Sequence, residues 1–215
     1  LDFFPRASKT AGAWMTEFRG TRMVDGRETR PLVSLVMNFT KPTETTPSLL
    51  TFDEVETFLH EFGHALHGML GEGKYESQTG TNVYRDFVEL PSQLMENWAF
   101  DPEVLRQYAV HYRSNEVIPK YLVDKLRRSE LFNQGFMATE LIAASLSDMD
   151  IHSTTDYEPF DPMVFERRAL NEKRGLIPQI EPRYRYPYFS HIFDGGYSAG
   201  YYFYTCLLYT SPSPR

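Results

Sequence analysis

Cysteine is almost absent: the 215-residue chain has one, Cys206. A single thiol cannot close an intramolecular disulfide, which excludes a disulfide-stapled scaffold. Long apolar runs are missing as well. No stretch reaches the roughly 18 residues that a bilayer-spanning helix needs, so no membrane is expected as a partner. Positive charge is in deficit, 22 Lys+Arg against 29 Asp+Glu for a net −7. A nucleic-acid surface needs the opposite balance, so no nucleic acid is expected either. The first ten residues lack the basic and apolar regions of a secretory leader, and the expected location is the cytoplasm. They also carry no initiator Met and open in mid-pattern, as a piece of a longer protein would. What is present is ordinary for a globular chain, with 41% hydrophobic and 24% charged residues and length enough for a core.

Periodicity predicts a mainly α fold with one or two short strands near its central helix. Residues 1–30 read as loop with short extended pieces. Residues 32–39 (LVSLVMNF) are β-rich and read as a strand covered on both faces. The Pro- and Thr-rich residues 40–48 form a loop. Thr51 or Asp53 caps a helix that runs to about Leu70, where Gly71 and Gly73 end it. Along it Val55, Leu59, Phe62, Leu66 and Met69 make one apolar face. An irregular connection at 74–84 leads to a second helix over 85–99, with a kink or late start at Pro91. Further helices are expected at about 102–113, 116–128, 129–149 and 161–173, with a long ordered loop at 175–196. The segment 205–215 (TCLLYTSPSPR) departs from the rest and reads as a non-native or disordered tail. The domain organisation is therefore one partial domain over 1–204, then the tail.

The segment that carries chemistry is His60-Glu61-Phe62-Gly63-His64. Residues four apart share a helix face, so His60 and His64 can aim two imidazoles at one metal ion. Glu61 projects beside them, where it can act as a base on water. With six His in 215 residues, this pattern arises by chance about 0.01 times in a chain of this length. Zinc of the hydrolytic type needs a third protein ligand and an open fourth position. Cysteine is effectively excluded. The continuation to a third histidine is also absent, with His67 and Leu70 where a Gly and a His would stand. His67 reads as a packing or capping residue. The remaining candidates are the carboxylates Glu72, Glu76, Asp86, Glu89 and Glu96. Glu89 is favoured modestly, because an acid among apolar neighbours is best explained by a cation to bind.

Taken together, His60-Glu61-Phe62-Gly63-His64-Ala65-Leu66-His67, Gly80-Thr81-Asn82-Val83, Arg85-Asp86-Phe87-Val88-Glu89 and Pro91-Ser92-Gln93 resemble the thimet oligopeptidase family of zinc peptidases. Phe132-Asn133-Gln134-Gly135-Phe136 and Phe189-Ser190-His191-Ile192-Phe193 are similar to it too, and the bacterial peptidyl-dipeptidase branch is nearest. The resemblance implies the catalytic portion of a large helical zinc-peptidase fold, one Zn²⁺ per chain, Glu89 as third ligand, and short peptides as substrates. It extends to Gly195-Gly196-Tyr197-Ser198-Ala199-Gly200-Tyr201-Tyr202-Phe203-Tyr204. There it implies Tyr197 and Tyr204 as donors to substrate and oxyanion, with Tyr201 and His191 as substrate contacts. The chemistry agrees, since a phenol is a neutral donor suited to developing negative charge. An aromatic packing patch is the competing reading.

Glu56, four residues before His60, and Glu96, two turns past Glu89, are candidates to hold the ligand imidazoles from behind. The strand at 32–39 is expected to offer an edge to substrate backbone. Removal of C-terminal dipeptides is the expected activity, with endopeptidase action the alternative. A catalytically silent zinc fold and a helical interaction module are the other readings. The intact Glu61 argues against the silent fold, and metal content separates the module from both zinc readings. Oligomeric state is not legible.

Overall fold

The computed structural model describes residues 1–155 and 158–210. The chain divides into two compact units, Leu1–Val123 and Asp124–Thr210.

The first unit is built around one long helix. Four strands precede it: β1 (Trp14–Arg19), β2 (Arg22–Val24), β3 (Arg27–Thr29) and β4 (Leu32–Val36). β1 pairs antiparallel with β4, Met15 opposite Leu35, and a register irregularity falls between Glu17 and Arg19. β2 and β3 form a separate hairpin in which Val24 stands opposite Arg27. Asp25 and Gly26 make its two-residue turn, both at positive φ (51° and 74°), the geometry that matches strand twist. Residues 1–30, expected as loop with short extended pieces, thus hold three strands, two of them only three residues long.

β4 is one strand, but it stops three residues short of Phe39. It offers no open edge beyond Leu35. On that side residues 2–3 are laid alongside it, with Asp2 N donating to Leu35 O, Met37 N to Asp2 O and Phe39 N to Phe3 O. The substrate edge expected at 32–39 is therefore already occupied from Leu35 onward.

Helix α1 (Phe52–Leu70) starts at Thr51. Thr51 Oγ1 accepts from Glu54 N, and the Glu54 carboxylate accepts from Thr51 N at 2.8 Å. This is a reciprocal capping box. The same carboxylate accepts from Thr40 N, which ties the preceding loop to the helix start. One side of α1 packs on the β1–β4 ladder. There Leu35, Met37, Phe39 and Ala65 are buried with Phe58 and Phe62 against them. Its other side packs on the segment that follows Pro91.

That segment is broken, as the proline predicts. α2 (Arg85–Val88) ends at Glu89 and α3 (Leu90–Glu96) begins directly after it, with Pro91 in its first turn. Proline has no N–H to donate to a preceding turn, and only a helix start tolerates that. A 3₁₀ turn over Asn97–Phe100 and α4 (Pro102–Tyr108), capped by Asp101, complete the packed part of this unit.

α5 (Lys120–Glu130) leads into the second unit. There α6 (Gln134–Ser153) is the long helix. α7 (Pro162–Arg167) continues as a π-helical turn over Arg168–Glu172. Residues 175–196 are largely irregular, apart from a 3₁₀ turn at Tyr186–Tyr188 and α8 (Ser190–Phe193). The core consists of Ala144, Tyr186, Phe189, Ile192 and Tyr201, with Leu141, Phe165 and Tyr184 against it. α9 (Phe203–Thr210) takes in residues 205–210 of the segment read as a tail, and residues 211–215 lie outside the described residues. Among the described residues, no helix is long and apolar enough to cross a membrane.

The capping box closes two donors that would otherwise be lost at the start of α1. Thr51→Ala is expected to destabilise the chain by about 1 kcal/mol, read as a lower denaturant midpoint with an unchanged slope.

Candidate metal centre

The site begins with a missing side chain. A Cβ on Gly63 would stand 2.6 Å from Pro91 O and 2.6 Å from Ser92 Cα. No real side chain fits there, so Gly63 lets α1 and α3 touch backbone to backbone. Glu89, one residue before α3, is thereby carried to the face of α1 that holds the histidines.

His60 and His64 lie one turn apart, ring centroids 5.0 Å from each other at 83°. Glu89 Oε2 is 3.3 Å from His60 Nε2 and 3.1 Å from His64 Nε2. One donor atom from each of the three lies within 4.8 Å of the others, so the set is positioned to bind a metal ion. Glu89 is 3% exposed, and its carboxylate also accepts from Ser92 Oγ at 3.0 Å. The same hydroxyl bonds Glu89 O. The i, i+3 spacing of Glu89 and Ser92 at a helix start was the readable signal for this brace, and sequence reasoning passed over it.

The other acids offered as third ligand are elsewhere. Glu76 accepts from Gly20 N and pairs with Arg22. Glu72 and Asp86 are exposed. Glu96 stands behind the pair instead, its Oε1 2.6 Å from His60 Nδ1. With Glu96 accepting there, the Nδ1 proton is fixed and Nε2 presents its lone pair. Glu56 was the other residue offered for this task. Its charge is felt at Tyr108, whose phenol is pushed up to about 12 by burial and then by Glu56. The Nδ1 of His64 is buried and has no hydrogen-bond partner among the described residues, so the polar contact that orients that ring is the one from Nε2 to Glu89 Oε2. His67 packs edge-on against Phe87, centroids 5.9 Å apart. Burial lowers its pKa, as does neighbouring His64, which suits the packing role read from sequence.

The electrostatics call for a cation. Burial alone would lower the His60 pKa. The hydrogen bonds and charges of Glu89 and Glu96 outweigh it and raise the value to about 10. Glu61, 7% exposed, has its pKa raised mainly by burial. His60 and His64 pull it back, as does a hydrogen bond from the Met15 backbone N–H on β1. Burial thus moves Glu61 in the direction that suits a group that must both accept and release a proton.

The likeness to known proteins runs through both units. Residues 1–206 match peptidase family M3. The chain belongs to that family. It is 46% identical over 204 residues to dipeptidyl carboxypeptidase of Escherichia coli K12, covering 94% of this chain and 30% of that protein. It is 39% identical over 209 residues to oligopeptidase A of the same strain, with 95% and 30% covered. It is 37% identical over 214 residues to the thimet-like oligopeptidase of Dictyostelium discoideum, with 95% and 30% covered. The resemblance to thimet oligopeptidases carried by the motifs is thus a family membership. The chain spans about 30% of the length of these curated relatives.

The tyrosine segment belongs to the second unit. Tyr197 and Tyr204 stack at 5.5 Å with rings 20° apart. His191 packs on Tyr184 at 4.5 Å and on Tyr201 at 5.6 Å. Tyr201 is 3% exposed and lies edge-on against Phe189 in the core. Its ring is covered by protein, the packing alternative raised for this aromatic cluster. In the same unit Arg185 is engaged by Glu166 at 2.8 Å and Glu181 at 3.1 Å. Arg183 is exposed.

Two substitutions separate the approach of the helices from the bracing of the ligands. Gly63→Ala is expected to overpack the α1–α3 contact by about 1–3 kcal/mol and to weaken metal binding with it. Glu96→Gln is expected to keep the fold and to lower metal affinity about 10- to 100-fold. Calorimetric titration with a divalent metal, run beside thermal melts, reads both.

Proposed function

We propose that this chain carries the zinc centre of a peptidase that hydrolyses short oligopeptides and releases C-terminal dipeptides. The observation that carries the reading is a buried carboxylate, Glu89, facing two imidazole Nε2 atoms at 3.1 and 3.3 Å, with Glu61 buried beside them.

The donor set fits zinc. Ligands about 2.0–2.1 Å from a zinc ion at tetrahedral angles stand about 3.3 Å from one another. Two imidazoles and one carboxylate are a hydrolytic set that leaves a fourth position open, and one zinc per chain satisfies it. The chemistry that bound zinc supplies is Lewis acidity, which polarises a carbonyl and brings the pKa of water from 15.7 to about 7.

The chain's own residues do the rest. His60, His64 and Glu89 hold the ion. Glu96 locks the His60 tautomer, and Ser92 holds the Glu89 carboxylate. Glu61 takes a proton from the attacking water as the new C–O bond forms. It then delivers that proton to the amine as the C–N bond breaks. Its burial-raised pKa suits both halves of this shuttle. We assign Tyr197 and Tyr204 as donors to the oxyanion on the family resemblance and on the chemistry of a neutral phenol. His191 is assigned a substrate contact on the same grounds. Release of dipeptides is favoured over endopeptidase action by the higher identity to dipeptidyl carboxypeptidase. A cytoplasmic location, where short peptides would be the substrates, is part of the same reading.

The test combines metal content with turnover. Wild-type protein is expected to hold about one zinc per chain and Glu89→Ala much less. Glu61→Gln is expected to keep the zinc and to lose about 10²- to 10⁴-fold in kcat. Chelation should abolish cleavage and added Zn²⁺ restore it. Amidating the C-terminus of a tetrapeptide should stop dipeptide release and would leave endopeptidase cleavage intact. Near-normal turnover by Glu61→Gln would falsify the assignment.

A further inference from the structure

We propose that Asp148 is the positioning residue of the tyrosine loop, clamping its backbone so that Tyr197 and Tyr204 are presented in one fixed arrangement. The inference rests on the reading of those two tyrosines as substrate donors, but the clamp itself is visible in the second unit alone.

Asp148 lies on α6 and is fully buried. Its two oxygens go to different amides of the loop. Oδ1 accepts from Ala199 N at 2.9 Å and Oδ2 from Tyr201 N at 2.9 Å. These amides bracket Gly200. The loop's own turns use three more: Tyr197 N donates to His191 O, Gly200 N to Tyr197 O and Phe203 N to Gly200 O. Alternate N–H groups thus point outward to a single carboxylate, a group with two acceptor oxygens to share between them. His152, one turn further along α6, places its Nδ1 2.7 Å from Oδ1 and fixes the carboxylate in turn.

The backbone it holds would not hold itself. Ala199 sits at φ 53°, a left-handed conformation that a residue with a Cβ adopts only when its surroundings impose it. The Asp148 bond is to that residue's own N–H. Two residues on, Tyr201 is seated in the core. Tyr197 and Tyr204 lie on either side of this clamped stretch and stack on each other. An apolar residue at 148 would avoid the cost of burying a charge but would leave two amides unmet. Substrate-donor geometry is sensitive to shifts of an ångström or less, so a backbone held at two alternate amides sets where the phenols sit.

The experiment is amide hydrogen exchange and steady-state kinetics on the zinc-loaded full chain, comparing wild type, Asp148→Asn, Tyr197→Phe and the double variant. Asparagine keeps the shape of aspartate but offers only one acceptor oxygen. Exchange across residues 195–202 is expected to rise about tenfold or more in Asp148→Asn, while residues 141–147 of α6 keep their protection. With a short peptide, kcat is expected to fall about 10- to 100-fold with little change in KM. Asp148→Asn should add little in the Tyr197→Phe background, because the residue acts through that side chain. Unchanged protection of 195–202, loss of protection throughout the unit, or losses that multiply in the double variant each overturn the proposal. A substitution-free check guards against a variant that fails to fold. In the wild-type chain, through-hydrogen-bond couplings from the Ala199 and Tyr201 amide nitrogens to the Asp148 carboxyl carbon are expected, and their absence overturns the clamp. If Tyr197→Phe and Tyr204→Phe leave turnover intact, the reading of the tyrosines fails, and exchange still decides whether Asp148 holds the loop.

Discussion

Backbone contact between α1 and α3 is the constraint on which the rest of the first unit depends. A Cβ at residue 63 would overlap both Pro91 and Ser92, so the helices approach as closely as two main chains can. The consequence is one of reach. A glutamate has a short side chain, and it meets two imidazoles on another helix only because no side chain separates the helices at that level. The β1–β4 ladder supports the opposite side of α1, and the helix is held between a sheet and a second helix. Glycine in a helix interior costs about 1 kcal/mol relative to alanine. In α1 the packing it permits offsets that cost.

The electrostatic arrangement follows from the same closeness. Glu61 and Glu89 are buried against two imidazoles, and Glu96, its side chain 35% exposed, stands behind His60. Burying carboxylates is unfavourable unless each finds a positive partner. Here the partners of the two buried acids are a histidine pair, a serine hydroxyl and one strand amide. A divalent cation would add the positive charge that these carboxylates lack. Burial and bracing thus converge on His60, His64 and Glu89, the three residues positioned to bind a metal ion.

Much of this was legible in the amino-acid order, and the misses have physical causes. The His60–His64 face, the Thr51 cap and the break at Pro91 are local properties, set within four residues, and each lies where periodicity put it. The Asp25-Gly26 hairpin is just as local, but short exposed strands lack the alternation that marks a half-buried one. It reads as loop until the turn residues are weighed. β4 was legible as a strand. That residues 2–3 lie along it was not, because strand neighbours are set by contacts more than thirty residues apart. Glu56 and Glu96 share a helical-spacing argument, and only the packing of α3 on α1 shows that Glu96 takes the His60 nitrogen. Tyr201 sits in a motif of alternating glycines and tyrosines in which sequence does not tell a ring facing inward from one facing out. Asp148 had a faint signal, four residues from Ala144 and three from Ile151 on the buried face of α6, but a single acid on an apolar face does not disclose its partners.

The joint between α2 and α3 has a consequence for which changes in chain length the site tolerates. Twenty-four residues separate His64 from Glu89, much of that span irregular, and such a span absorbs insertions at small entropic cost. The three steps from Glu89 to Ser92 are different. One added residue there would turn Glu89 by about 100° relative to the α3 surface that rests on Gly63. The carboxylate would then swing off the imidazoles while both helices stayed where they are. The ligand set is therefore insensitive to the length of the long connection and intolerant of any change in the short one, and chain-length variation that spares the centre must fall before Glu89.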